Sequence, residues 1–196
     1  KEESRKYLPQ NIEILEELKK TNSREYAHAI YLNKVGHSPV YEACNFTYFP
    51  LGEKWYEDLI LKLKEAKEYI FIEIFILAKG KMWGNILEIL EAKVKEGVEV
   101  RVIYDGTCSL TLLPRTYPEQ LKEKGIKCKV FNPIVPLIKT SYNNRDHRKI
   151  VIIDGKFAYT GGCNIADEYI NQKVRFGHWK DNMVCFKGNA VNSLCL

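Results

Sequence analysis

Apolar positions alternate between a helical and an extended period along this chain. Asn11-Ile-Glu-Ile-Leu-Glu-Glu-Leu18 carries apolar residues at helical spacing and predicts a short amphipathic helix; Ser23–Tyr31 predicts a second. The text from Val40 to Pro50 is irregular and aromatic, as in a strand leading into a loop. Glu53–Lys67 returns to the helical period, and Tyr69–Leu77, rich in Ile and Phe, predicts a buried central strand. Gly84–Glu96 predicts a helix closed by Gly97, and Val98–Tyr104 a strand closed by Asp105-Gly106. Pro118–Lys124 predicts a short helix ended by Gly125, and Ile126–Phe131 another strand. Arg148–Ile153 and Lys156–Thr160 flank Asp154-Gly155, a strong two-residue hairpin signal. Gly161–Asn164 turns into a short helical stretch at Ile165–Ile170, and Asn182–Phe186 is a last strand ended by Gly188. Strand, helix, strand, helix, strand at these intervals predicts an α/β fold with a mixed, largely parallel sheet and helices on both faces. Residues 1–39 form an N-terminal helical segment and 40–196 the main lobe.

Composition narrows the class. At 196 residues and 45% hydrophobic, the chain supports one substantial core. The net charge of +5 suits an anionic partner, and equally suits ordinary solubility. The six cysteines form no C-x-x-C pair and sit in or beside apolar runs, as free thiols in a reducing compartment do. The four histidines have no zinc-ligand spacing, so neither metal nor cofactor is expected. No apolar stretch is long enough to span a membrane, and no signal peptide opens the chain. Both ends read as cuts in a longer protein.

The chemistry concentrates in Asp146-His147-Arg148-Lys149-Ile-Val-Ile-Ile-Asp154-Gly155. His147 and Lys149 share strand parity, so an imidazole and a cation enter the sheet on one side; Arg148, Ile150 and Ile152 take the other. Such a pair is either a surface His and Lys at a strand start or a device to hold and attack a phosphate. Asp154 has the opposite parity and sits at the hairpin, where a turn-forming Asp before Gly holds the local fold. Glu73 interrupts an apolar strand, so it lines a cleft or makes a strand-end ion pair. Pro133–Ile138 is an apolar segment broken by two prolines. It is a buried connection or touches acyl chains.

The motif resembles the signature of the phospholipase D superfamily, H-x-K-x-x-x-x-D followed by G-G/S-x-N, here His147, Lys149 and Asp154, then Gly161-Gly162-Cys163-Asn164. Met82-Trp83-Gly84, Tyr104-Asp105-Gly106, Asp167-Glu168-Tyr169, Trp179-Lys180-Asp181 and Thr47–Trp55 look like bacterial cardiolipin synthases. The resemblance implies a single lobe of that fold, with His147, Lys149 and Asp154 as the catalytic motif. His147 would be the nucleophile that forms a phosphohistidine. Lys149 would bind the phosphate oxygens, with Asn164 and Gly162 beside them. Asp181 would be an acid that orients the imidazole, or a plain surface residue. The implied reaction is phosphatidyl transfer between two phosphatidylglycerol molecules, giving cardiolipin and glycerol.

The chain departs from that family in one respect. Full-length cardiolipin synthases carry two such motifs, and this sequence has one. The resemblance therefore implies the first half of a membrane-bound bacterial enzyme, its lobe facing the cytoplasm and soluble as a fragment. The second motif would come from sequence beyond Leu196 or from a homodimer partner. Anionic phospholipid and the membrane surface are the expected partners, and nucleic acid is not. The alternatives are a homodimeric phosphodiesterase or nuclease, and a silent lipid-binding lobe.

Overall fold

The computed structural model describes residues 8, 10–42, 44–134 and 144–195. Two helices open the chain, α1 (Ile12–Thr21) and α2 (Ser23–Gly36). Asn11 and Asn22 cap them, each accepting a backbone N–H with its side-chain oxygen, the task short polar side chains perform at helix starts. They pack on one another through residues that include Ile14, Leu15 and Ala29.

The lobe is built on one seven-stranded sheet. In chain order the elements are β1 (Asn45–Phe49), α3 (Gly52–Glu65), β2 (Tyr69–Ile74), α4 (Lys81–Lys95), β3 (Glu99–Asp105), α5 (Cys108–Thr111), α6 (Tyr117–Glu123) and β4 (Lys127–Phe131). Then come β5 (Lys149–Ile153), β6 (Phe157–Gly161), a 3₁₀ turn (Asp167–Ile170), β7 (Met183–Lys187) and a second 3₁₀ segment (Asn189–Leu194). The spatial order is β1-β7-β6-β5-β2-β3-β4.

The single α/β lobe matches expectation, but the largely parallel sheet does not. Only the pairs β2–β3 and β3–β4 are parallel; β1–β7, β7–β6, β6–β5 and β5–β2 are antiparallel. The reason is in the connections. A parallel pair needs a crossover, and α4 and α6 supply it between β2 and β4. Asp154 and Gly155 instead close a tight hairpin with φ of 52° and 62°, both in the left-handed region, and Lys156 N–H reaches Ile153 O at 3.0 Å. That is the turn geometry that returns a strand antiparallel to itself.

The two faces are also covered unequally. Ile70, Ile72, Ile74, Val100, Val102, Val151 and Ile153 point into the main core, where Trp55, Leu59, Leu63, Met82, Trp83, Ile86, Leu90 and Leu121 from α3, α4 and α6 meet them. Burying each such aliphatic side chain contributes roughly 1.5–3 kcal/mol. The opposite face holds a smaller cluster, Ile150, Ile152 and Ala158 against Val191 of the second 3₁₀ segment, with Tyr69 and Phe71 beside it. Both faces carry helical elements, but the regular helices of the lobe pack on one.

Candidate active site

The site forms where one end of the sheet collects three loops. Register places Lys149, the first residue of β5, opposite Ile74, the last of β2. Asp105 ends β3 at the same edge, in the parallel part of the sheet, where crevices open beyond the carboxyl ends of strands. Gly161 pairs with Met183, so the turn after β6 and the approach to β7 arrive there too.

Lys149 lies on the main-core face, in line with Val151 and Ile153, and only 4% of it is exposed. Its Nζ donates to the carbonyl of His147 at 2.7 Å and sits 5.1 Å from the centre of the Phe75 ring. Burial pushes its pKa down, partly offset by the charges of Asp181 and Asp146. Among the described residues it has no ion pair, so this buried ammonium keeps two N–H donors unspent. His147 is exposed at the strand mouth, its ring edge-on to Phe75 with centroids 4.6 Å apart. Phe75 thus buttresses both residues.

Asp105 fixes the approach to the motif. It is fully buried, and its carboxylate accepts from Asp146 N–H (3.0 Å), Thr107 N–H (2.9 Å) and the Arg145 guanidinium (3.2 Å). Arg145 also donates to Asn132 O at 3.0 Å. The residue before His147 is therefore pinned to the end of β3. Periodicity marked Asp105 only as a strand end; apart from Thr107, its partners lie some forty positions away and left no local signal.

Asn164 is buried, and its amide is committed on both sides. Oδ1 accepts from Ile76 N–H and Nδ2 donates to Tyr169 Oη, each at 2.8 Å. One Nδ2 hydrogen remains. Gly162 donates its N–H to Asn182 O at 2.9 Å. A Cβ built on Gly162 would fall 1.9 Å from Asp181 Oδ1, so glycine is what lets that carboxylate lie over the turn. Asp181 also accepts from Asn182 N–H at 2.8 Å. Its field acts on Lys149, and no hydrogen bond joins it to the His147 ring among the described residues.

Two motif candidates lie away from this cluster. Asp154 closes the far end of β5, where its carboxylate accepts three backbone N–H groups at the start of β2, from Lys67 (2.8 Å), Glu68 (2.8 Å) and Tyr69 (2.9 Å). Glu73 faces the side of the sheet opposite Lys149, because β2 points Ile72 and Ile74 into the main core. It pairs with Arg148 at 2.5 Å, and Arg148 also holds Asp146 at 2.8 Å. Burial, with the hydrogen bond and charge of Asp146, lifts the Glu73 carboxyl to about 7. Of the two roles expected for Glu73, the structure shows the ion pair. Trp83 is core, and Trp179 packs on Tyr169 with centroids 4.9 Å apart. The prolines' segment lies outside the described residues from position 135 onward.

A cleft of about 650 Å³ opens beside Phe75, walled by Thr111 and Leu112 on one side and Lys173 and Arg175 on the other. A concavity of similar size, about 660 Å³, lies between α6 and β3–β4 and contains no motif residue. No group of three or more His, Cys, Asp or Glu side chains among the described residues could hold a metal ion. All six cysteines are free. No helix among the described residues is long and apolar enough to cross a membrane.

Comparison with known proteins gives a consistent set of likenesses. The family model described as "Cardiolipin synthase, PLD-like domain" matches residues 59–184. An uncharacterized protein of Streptococcus mutans is 50% identical over 97% of this chain, and the chain spans 41% of its length. A cardiolipin synthase of Alkalihalophilus pseudofirmus is 34% identical over 92% of the chain, spanning 36% of that protein. Cardiolipin synthase 2 of Staphylococcus epidermidis is 39% identical over 78% of the chain, spanning 31%. Among solved structures, the fold resembles NucT from Helicobacter pylori (TM-score 0.57, 17% identity, 78% of this chain and 91% of that one). It also resembles phosphatidylserine synthase from Haemophilus influenzae (TM-score 0.59, 15% identity, 76% of this chain and 35% of that one).

Proposed function

The chain belongs to the phospholipase D-like domain family of cardiolipin synthases, and on that premise we propose that it supplies one half of a phosphatidyl-transfer site. The observation that carries this reading is the Lys149 ammonium, buried without an ion pair beside an exposed histidine. A desolvated cation with unspent donors has its greatest affinity for an anion. The donor geometry is fixed before substrate arrives, which favours charge that builds on phosphate oxygens in the transition state.

In the proposed reaction a ring nitrogen of His147 attacks the phosphorus of phosphatidylglycerol. The bond from phosphorus to the headgroup oxygen breaks, glycerol leaves with a proton, and the phosphatidyl group stays on His147. A hydroxyl of a second phosphatidylglycerol then attacks phosphorus and gives its proton to the group that had protonated glycerol. The P–N bond breaks, cardiolipin forms, and His147 is regenerated. Lys149 and the remaining Asn164 N–H hold the phosphate oxygens, while the Asp181 charge partly offsets the desolvation of the Lys149 ammonium. Asp154 and Asp105 hold the two ends of the motif.

This half lacks the acid that protonates glycerol. We assign that role to a second motif, from the remainder of a longer chain or from a second copy. The isolated 196-residue chain should therefore make little cardiolipin. The alternative, hydrolysis of phosphodiesters by a homodimer, differs only in using water as the acceptor. Incubation with short-chain phosphatidylglycerol and chromatography of the products tests both. Cardiolipin formation that disappears in His147→Ala supports the first reading, and phosphatidic acid alone supports the second. Turnover retained in His147→Ala contradicts both.

A further inference from the structure

Exposed apolar side chains lie in the two segments that bound the cleft beside Phe75. Leu112, 40% exposed, lines it, and Leu110 (56%) lies two positions before; Val174 and Phe176, next in sequence to the lining cations Lys173 and Arg175, are 79% and 78% exposed. Large apolar side chains this open are uncommon as neighbours on a soluble surface, and a cluster of them marks a contact. Here they alternate with cations. Lys173 and Arg175 flank Val174 and line the cleft, and Lys79 lines its floor. Of the two acids in the cleft, Asp167 is occupied by the N–H groups of Lys81 and Met82, and Glu168 by Arg175 at 3.2 Å. Arg175 is thus spent on Glu168 and Asp167 is held by backbone donors, and Lys79 and Lys173 are the lining cations that have no ion pair among the described residues.

We propose that this rim is where the lobe docks onto a bilayer containing anionic phospholipid, with Leu110, Val174 and Phe176 entering the interface and Lys79 and Lys173 meeting the headgroups. Alternating cations and apolar tips around an open cleft have the chemistry of an interfacial anchor, and the positive face is complementary to an anionic leaflet. The placement also serves the reaction. A lipid entering between the two walls brings its phosphodiester toward Phe75, which touches both His147 and Lys149. The inference rests on reading the site as one for phospholipid, but its test is independent of turnover.

Sedimentation of the 196-residue chain with phosphatidylglycerol–phosphatidylcholine vesicles measures docking directly. The triple variant Leu110→Asp, Val174→Asp, Phe176→Asp should bind at least about tenfold more weakly, since it removes three apolar anchors and adds three repelled charges. Val174→Asp alone should give an intermediate loss, and Leu61→Asp, on the exposed face of α3, should give none. Far-ultraviolet circular dichroism checks that each variant is folded, and the single variant serves if the triple does not fold. Hydrolysis or transfer on short-chain phosphatidylglycerol below its micelle concentration should persist in the rim variants. Vesicle binding lost with that turnover retained supports the docking surface. Unchanged vesicle binding in a folded rim variant overturns it. A dimer in gel filtration that the rim substitutions dissociate would also overturn it, because a second copy would then be the occupant. Rim-dependent vesicle binding by a wild-type chain that turns over no phosphodiester supports the docking surface and leaves the half-site reading of catalysis to its own test.

Discussion

Replacing Asp154 by alanine removes the acceptor for three backbone N–H groups at 2.8, 2.8 and 2.9 Å. Hydrogen bonds to a charged group contribute about 1.5–3 kcal/mol each when water cannot replace the partner. Lys67 and Glu68 are exposed, so water recovers most of those two, leaving about 0.5–1 kcal/mol each; Tyr69 N–H is half-buried and keeps about 1.5–2 kcal/mol. The residue has φ of 52°, where alanine costs about 1 kcal/mol more than aspartate, asparagine or glycine. The expected total is about 3.5–5 kcal/mol, a large share of a typical domain's stability. Urea unfolding followed by tryptophan fluorescence should show the loss as a lower midpoint with an unchanged slope. Asp154→Gly should recover about 1 kcal/mol of it. The pH dependence has a definite sign. Burial raises the Asp154 carboxyl, but the N–H groups of Glu68, Tyr69 and Lys67 outweigh it and hold its pKa below the ordinary value. Its contribution is thus present above an unfolded value of about 3.9 and is lost as pH falls through the lower folded value. The gap between wild type and Asp154→Asn should narrow in that acid window. A folded Asp154→Asn of wild-type stability that has lost turnover as completely as His147→Ala would refute this structural role.

Other substitutions probe the remaining parts. Lys149→Met should abolish turnover, yet leave thermal stability unchanged or about 1 kcal/mol higher, because it removes a buried charge that has no ion pair among the described residues. A melting point several degrees lower would contradict that. Gly162→Ala places a methyl group 1.9 Å from the present position of Asp181 Oδ1, so that carboxylate must move. Turnover should fall about tenfold to hundredfold in steady-state kinetics while the fold persists. Glu73, lifted to about 7, takes up a proton on folding, so its contribution is full below about 4.3 and is lost as pH rises toward 7. Glu73→Gln should flatten the urea midpoint against pH across that window.

Much of this arrangement was legible because it is local. The alternation His147–Lys149–Val151–Ile153 assigned the polar pair and the packing residues to one face, and the sheet has that parity. Asp154-Gly155 announced its turn, since few other residues accept positive φ twice in succession. Sheet direction was less legible. The helices after β2 and β3 argued for parallel strands, and they are parallel there, but the return of β5 against β2 depends on a connection without periodic signal. Glu73 could be seen to need a partner but not which, because Arg148 lies just ahead of β5, a strand adjacent to β2 only in space. Asp105 was missed for the same reason, as its partners Arg145 and Asp146 approach through the tertiary fold. Phe75 read as strand core, and only its position just past the end of β2 turns it toward His147.

The central claim is that His147 carries the phosphatidyl group. Mass spectrometry of the chain quenched during incubation with short-chain phosphatidylglycerol tests it most directly. The account predicts an acid-labile phosphatidyl adduct on the peptide containing His147, absent in His147→Ala and sharply reduced in Lys149→Met. An adduct on any other residue, or glycerol release undiminished in His147→Ala, would contradict it.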